Sequence, residues 1–150
     1  MKNLNPLARE GKINEDANIM DRQSIIINSP IEKVWKLLIN VKEWPEWNHD
    51  IKIDKYTSTT NEEPFKWQIK GQSINSSFQK IDPPNLLSWT SRSKLFKAVN
   101  VWKLEQAGDQ TIVSAEESIQ GLSTFFFGHQ KLHNTLLTWL SRLKVKAEEA

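Results

Sequence analysis

His129 and His133 stand four residues apart in the stretch HQKLH. On a helix that interval places both imidazoles on one side. It is the spacing of a two-histidine metal site, but the glutamate of the H-E-x-x-H pattern is missing. A closed site would need further ligands, and only Glu116 or His49 offers one. We therefore expect no metal and no other cofactor. Acid–base chemistry suits the pair better: an imidazole near neutrality, oriented by Glu116 or Asn100 in an apolar chamber, can take a proton from the carbon beside a carbonyl. His129, His133 and Glu116 are the candidate catalytic residues. The alternative is two polar histidines at the edge of an apolar stripe. There is no G-x-S-x-G elbow, no phosphate-cradling glycine loop and no dinucleotide fingerprint, so hydrolase and nucleotide-dependent chemistries fall away.

The totals bound the rest. The chain has 150 residues, enough for one domain with a substantial core. It has no cysteine, which excludes disulfides, thiolate metal sites and a cysteine nucleophile and fits a reducing compartment. With 20 Lys and Arg against 18 Asp and Glu, scattered along the chain, there is little to attract nucleic acid, which needs cations gathered on one face. No stretch has the apolar core of a signal peptide or the length of a membrane span. The expectation is a soluble cytoplasmic protein, monomer or homodimer. Seven Trp and six Phe beside a single Tyr are unusual; large rigid rings are hard to close-pack and can frame a cavity.

Residues 1–20 lack periodicity and read as a tail or loosely docked arm, leaving 21–150 as one domain. Structure is expected to start at Ser24 with the β-branched run SIIIN. Ser29, Pro30 and Glu32 then form a capping-box start for a helix over 30–40, with Ile31, Val34, Trp35 and Leu38 on its apolar face. Trp44 precedes Pro45, which disfavours the α region and ends that helix, while Pro45 can open a second short turn from which Trp47 emerges. From Ile51 to Ser118 the period becomes 2. Strands are expected at 51–57, 65–70, 73–81, 86–92, 97–105 and 111–118, separated by Gly, Pro and Asn turns too short for crossover helices and hence antiparallel. A long helix over 122–148 follows, with Leu122, Phe125, Phe126, His129, Leu132, His133, Leu136, Trp139, Leu140 and Leu143 on one broad stripe. Phe125–Phe127, bracketed by Gly121 and Gly128, sweep too much of the circumference for a core stripe. They serve either as an ordinary helix start or as a lid.

This order, with INSPIEKVWKLLINVKEWPEWNHDIK at 27–52, VWKLE at 101–105, AEESIQG at 115–121 and LSRLKVKAEE at 140–149, resembles the START-like (SRPBCC) superfamily of polyketide cyclase/dehydrase and lipid transport type over residues 24–148. The resemblance implies an α+β helix-grip fold. In it a curved antiparallel sheet of about seven strands wraps around the long C-terminal helix, with two short helices after strand 1 and a cavity for a small apolar molecule between sheet and helix. Trp44 and Trp47 would then cover one end of that cavity or belong to its supporting core.

Alternation selects the inner wall: Phe65, Trp67 and Ile69; Ile74, Ser76 and Phe78; Leu87, Trp89 and Ser91; Asn100 and Trp102. On the last strand hydrophobicity does not choose between Glu116 and Glu117; Glu116 is taken as the inner one, needing a partner or a proton. The residues expected to meet a ligand are Trp35, Trp47, Trp67, Phe78, Trp89, Asn100, Trp102 and Phe126. Three functions follow. The leading one is binding of a small hydrophobic or amphipathic molecule, such as a lipid, a quinone or an aromatic polyketide. The second is a cyclase or dehydratase, promoting the aldol closures or dehydrations that some members of the superfamily perform. The third is a protein-interaction module presenting an apolar patch around Phe127.

Overall fold

Period-2 sequence between Ile51 and Gly121 is realised as six consecutive antiparallel strands: β2 (Ile51–Lys55), β3 (Pro64–Ile69), β4 (Gln72–Asp82), β5 (Leu86–Arg92), β6 (Phe96–Ala107) and β7 (Gln110–Gly121). β1 (Ile19–Ile27) joins the far edge beside β7, giving the order β1-β7-β6-β5-β4-β3-β2. The computed structural model describes residues 3–121 and 124–150, with the backbone alone for 124–127.

Between β1 and β2 lie α2 (Ile31–Ile39), a short 3-10 turn (Val41–Glu43) and α3 (Trp44–Trp47). The expected capping box does not form: Pro30 is the N-cap, without a side-chain cap. Instead the Ile31 N–H donates to Gln106 Oε1 at 2.9 Å, so a residue from β6 satisfies an amide that the helix leaves free. Trp44 also departs from expectation. It lies in the right-handed helical region (φ −50°, ψ −44°) although a proline follows, because burial of its indole holds the backbone where local preference alone would not.

α4 (Thr124–Ala147) closes the inner face of the sheet. It is not one continuous helix: Gly128 has φ 73°, ψ 157° and breaks it, a conformation open to glycine because it lacks Cβ. Beyond the break, Leu132, Leu136, Trp139, Leu140, Leu143 and Ala147 are buried against the sheet. The seven-stranded sheet around this helix, with short helices after β1, is the α+β helix-grip architecture.

The interior is aromatic and mostly full. Trp44 meets Phe65, Trp67, Trp89 and Trp139 at ring separations of 5.9, 5.6, 5.4 and 5.2 Å, largely edge to face, the arrangement that ring quadrupoles favour. Its indole N–H donates to the Leu38 carbonyl at 2.9 Å. Trp47 packs on Trp139 at 5.6 Å. The EWPEW stretch thus plugs the core between α2 and the sheet, and the rings pack on each other rather than propping the whole interior open.

Residues 4–14, in the segment expected as a tail or loosely docked arm, lie across the outer face. α1 (Asn5–Arg9) and the turn after it bury Leu4, Ala8 and Ile13 on Val99 and Val101. Ser88 Oγ donates to the Ala8 carbonyl at 2.5 Å, and the Asn14 amide to Ser118 Oγ at 3.0 Å. β6 is consequently buried on both faces, which is why its alternation was ambiguous, and β1 starts at Ile19 rather than at Ser24.

Candidate functional site

A partly open cavity of about 50 Å³ remains between the sheet and α4. β3 and β4 contribute Trp67, Ile69 and Ile74; β6 and β7 contribute Phe96, Asn100, Trp102, Glu117 and Ile119; α4 adds Leu132, Leu136 and Trp139. Gln72, Ser91 and Thr135 complete the lining among the described residues.

Two polar side chains converge on it from adjacent strands. Asn100 and Glu117 are direct register partners, so their side chains project from neighbouring positions on the same face. With its amide turned to match donors with acceptors, Asn100 Nδ2 donates to Glu117 Oε1 at 3.0 Å, and Asn100 Oδ1 accepts from Trp89 Nε1 at 3.2 Å. Burial among apolar groups pushes the Glu117 carboxyl up from 4.5 to about 8, because desolvation penalises the charged form. Near neutrality it is a neutral acid. One oxygen accepts from Asn100, which leaves the other to carry the proton as a donor.

The inward carboxylate is therefore Glu117 and not Glu116. Glu116 points to the outer face, where Arg22 Nε lies at 3.0 Å and Lys103 Nζ at 2.9 Å. Ile119 decides the parity of β7: it lies on the side of Val113 and Ala115, all three buried, and Glu117 shares that side. Ending the strand at Ser118 had hidden this signal.

The histidines are placed elsewhere as well. Asp21 on β1 holds them at the sheet edge: His133 Nδ1 lies 3.0 Å from Asp21 Oδ2, with Gln23 Nε2 2.9 Å from the same nitrogen, and His129 Nε2 is 3.8 Å from Asp21 Oδ1. Neither lines the cavity, and the His129 side chain is 64% exposed. His129, His133 and Glu116 are not brought together as a catalytic group. Among the described residues no three metal-binding side chains converge.

Of the residues expected to meet a ligand, Trp67, Asn100 and Trp102 line the cavity. Trp35, Trp47, Phe78 and Trp89 belong to the packed core, although Trp89 reaches the site through its bond to Asn100. Phe126, the proposed lid over Phe125–Phe127 and the apolar patch at Phe127 lie outside the described side chains. Sequence reasoning left out of the ligand set Glu117, Ile119, Leu136 and Trp139, of which the last two were already visible on the apolar stripe of α4.

No curated protein sequence matches this chain. Solved structures share its fold at low identity. A protein from Chromobacterium violaceum superposes with a TM-score of 0.75 at 12% identity, over 87% of this chain and 98% of its own. Truncated norcoclaurine synthase from Thalictrum flavum gives 0.71 at 7% identity, over 87% and 94%. A START superfamily protein from Mycobacterium smegmatis gives 0.68 at 14%, over 86% and 97%. The family model described as polyketide cyclase / dehydrase and lipid transport matches residues 22–139. With the sheet, the gripping helix and that match over most of its length, the chain belongs to the polyketide cyclase / dehydrase and lipid transport family.

Proposed function

We propose that this domain binds a small, mainly apolar molecule in the cavity and orients it by one hydrogen-bond acceptor, a carbonyl or ether oxygen, held by the protonated Glu117. The observation that carries this is the Trp89–Asn100–Glu117 row set into a space lined mainly by rings and aliphatic side chains, with Gln72, Ser91 and Thr135 as its other polar residues among those described. Apolar pockets with a few placed polar groups are the usual form of a small-molecule site. An ionised ligand would bury its charge without a cation, since no Lys or Arg lines the cavity among the described residues. Free fatty acids in their ionised form therefore fit less well than ketones, quinones or esters.

Size narrows the class further. About 50 Å³ is well below the roughly 150 Å³ of an engineered cavity that takes up benzene. The ligand is either fragment-sized or enters with movement of a wall.

The test is native mass spectrometry together with tryptophan fluorescence, using a quinone, an aromatic ketone, a fatty-acid methyl ester and the matching free acid. The neutral carbonyl compounds should bind, and Ile119→Phe, which fills the cavity, should abolish binding. Failure of all four to bind, or binding undiminished in Ile119→Phe, would remove the proposal.

A further inference from the structure

The outer face of the sheet carries a second feature, remote from the cavity. Register pairing lines up Lys55 with Lys66, Lys66 with Asn75, Asn75 with Arg92, Arg92 with Lys97 and Lys97 with Gln120, in one row across six strands. Four of these six side chains are cations, and all four lie on the face away from α4. Like charges directly opposite each other in a sheet are destabilising. Here Lys55 faces Lys66 and Arg92 faces Lys97. None of the four has an ion pair among the described residues.

Beside Arg92 and Lys97 the sheet and the N-terminal arm enclose a groove of about 330 Å³. Asn75, Ser77 and Thr90 form its floor, and Asn3, Leu4 and Asn5 its far wall. Thr90 Oγ1 donates to Asn5 Oδ1 at 2.9 Å, which fixes the arm against the floor. No carboxylate lines the groove among the described residues. Uncompensated positive charge, a guanidinium suited to bidentate contact, and neighbouring hydroxyl and amide groups are the components that recognise phosphoryl oxygens.

We infer that the groove between Arg92, Lys97 and residues 3–5 binds a phosphate group, as free phosphate or as the headgroup of a phosphomonoester lipid. Charge matching favours phosphate over a carboxylate: a phosphomonoester brings about −1.5 to −2 at neutral pH, which balances Arg92 and Lys97 together. The remaining row, Lys66 and Lys55, extends the positive strip toward the β2 edge and would accept a second anionic group or the surrounding anionic surface.

Calorimetric titration of the full chain at pH 7.5 tests this in two arms, inorganic phosphate and phosphatidylcholine vesicles with or without phosphatidic acid. Arg92→Gln and Lys97→Gln are the variants, with Lys36→Gln, an exposed lysine on α2, as the control for net charge. Both positions are at the surface, and removing one of two facing cations leaves the fold without their repulsion. Saturable phosphate binding that weakens about tenfold or more in either groove variant, but not in Lys36→Gln, supports the site with free phosphate as its ligand. Binding confined to vesicles containing phosphatidic acid, with the same loss in the same variants, supports it with a lipid headgroup. Absence of binding in both arms, or groove variants that behave like Lys36→Gln, would overturn it.

Discussion

Asp21 on β1 and Glu117 on β7 face each other as register partners, so two carboxyl side chains stand at neighbouring positions on the inner face of the sheet. Their surroundings differ. Asp21 pairs with His133 at the sheet edge, whereas Glu117 turns into the apolar cavity, with its carboxyl pushed up to about 8. A carboxyl with a folded-state pKa near 8 against 4.5 when unfolded holds more protons in the folded state between those values. The stability it contributes is complete below about pH 4.5 and is lost as pH rises through about 8. Glu117→Gln, which cannot ionise, should flatten that slope. Urea midpoints measured from pH 5 to pH 9 should show the variant gaining on the wild type as pH rises, by about 2 kcal/mol or more at pH 9. Parallel profiles would place Glu117 in water rather than in an apolar pocket.

Trp44 and Trp47 look equivalent in EWPEW and are not. Both are buried, but the Trp44 indole N–H donates to Leu38 O, while Trp47 Nε1 has no partner among the described residues. Trp44→Phe removes a satisfied bond and leaves the Leu38 carbonyl short of a donor, at a cost of about 1–3 kcal/mol beyond the lost ring area. Trp47→Phe removes an unsatisfied polar group, which offsets part of its lost packing. Thermal and denaturant unfolding of the two variants should rank Trp44→Phe clearly the less stable. Equal losses would mean that ring volume alone sets the cost.

The fold was legible in the sequence because it rests on periodicity. The switch from 3.6 to 2 at Ile51 and its end at Ser118, before the long helix, predict the elements, and short turns predict antiparallel neighbours. The inner faces of β3, β4 and β5 also followed from alternation, since Phe65, Trp67, Ile74, Phe78 and Trp89 contrast with polar neighbours. Where both faces are covered, contrast disappears. β6 has Val99 and Val101 buried under α1 as well as Asn100 and Trp102 turned inward. On β7 the parity is set by Ile119, one residue past the predicted strand end. That single residue displaced the candidate acid from Glu117 to Glu116. The partner of His133 was not legible at all, because pairing of β1 with β7 brings Asp21 alongside from over a hundred residues away.

Gly121 is required by a close approach rather than by a turn. Its φ is +141°, and a Cβ built there would lie 2.2 Å from the Leu95 carbonyl oxygen and 2.8 Å from Phe96 Cα. Neither obstacle is a flexible side-chain end, so the backbone itself has to move. Gly121→Ala should unpair the end of β6 from β7, where Phe96 faces Gly121 and lines the cavity. A loss of about 2–4 kcal/mol is expected, in the range of strained and overpacked sites. Gly71→Ala, with a similarly positive φ of +80° but open space around it, should cost about 1–2 kcal/mol from backbone strain alone. Comparing the two variants by urea unfolding separates collision from strain.

Asn100 joins two groups that would otherwise be stranded, donating to Glu117 and accepting from Trp89. Asn100→Leu is close in size, so its cost isolates the polar connections: Trp89 Nε1 loses its acceptor and the Glu117 carboxyl loses its donor. About 2–3 kcal/mol is expected near pH 7, since an unsatisfied buried polar atom costs more than a satisfied bond gains. Combining it with Glu117→Leu should restore part of that loss, because removing both partners leaves fewer buried groups unpaired. A double-mutant cycle over the pair should give a coupling of about 1–2 kcal/mol. The same cycle run with Glu116→Leu should give a coupling near zero, because Glu116 is bonded to Arg22 and Lys103 on the opposite face. A larger coupling to Glu116 than to Glu117 would reverse the assigned parity of β7 and empty the cavity of its acid.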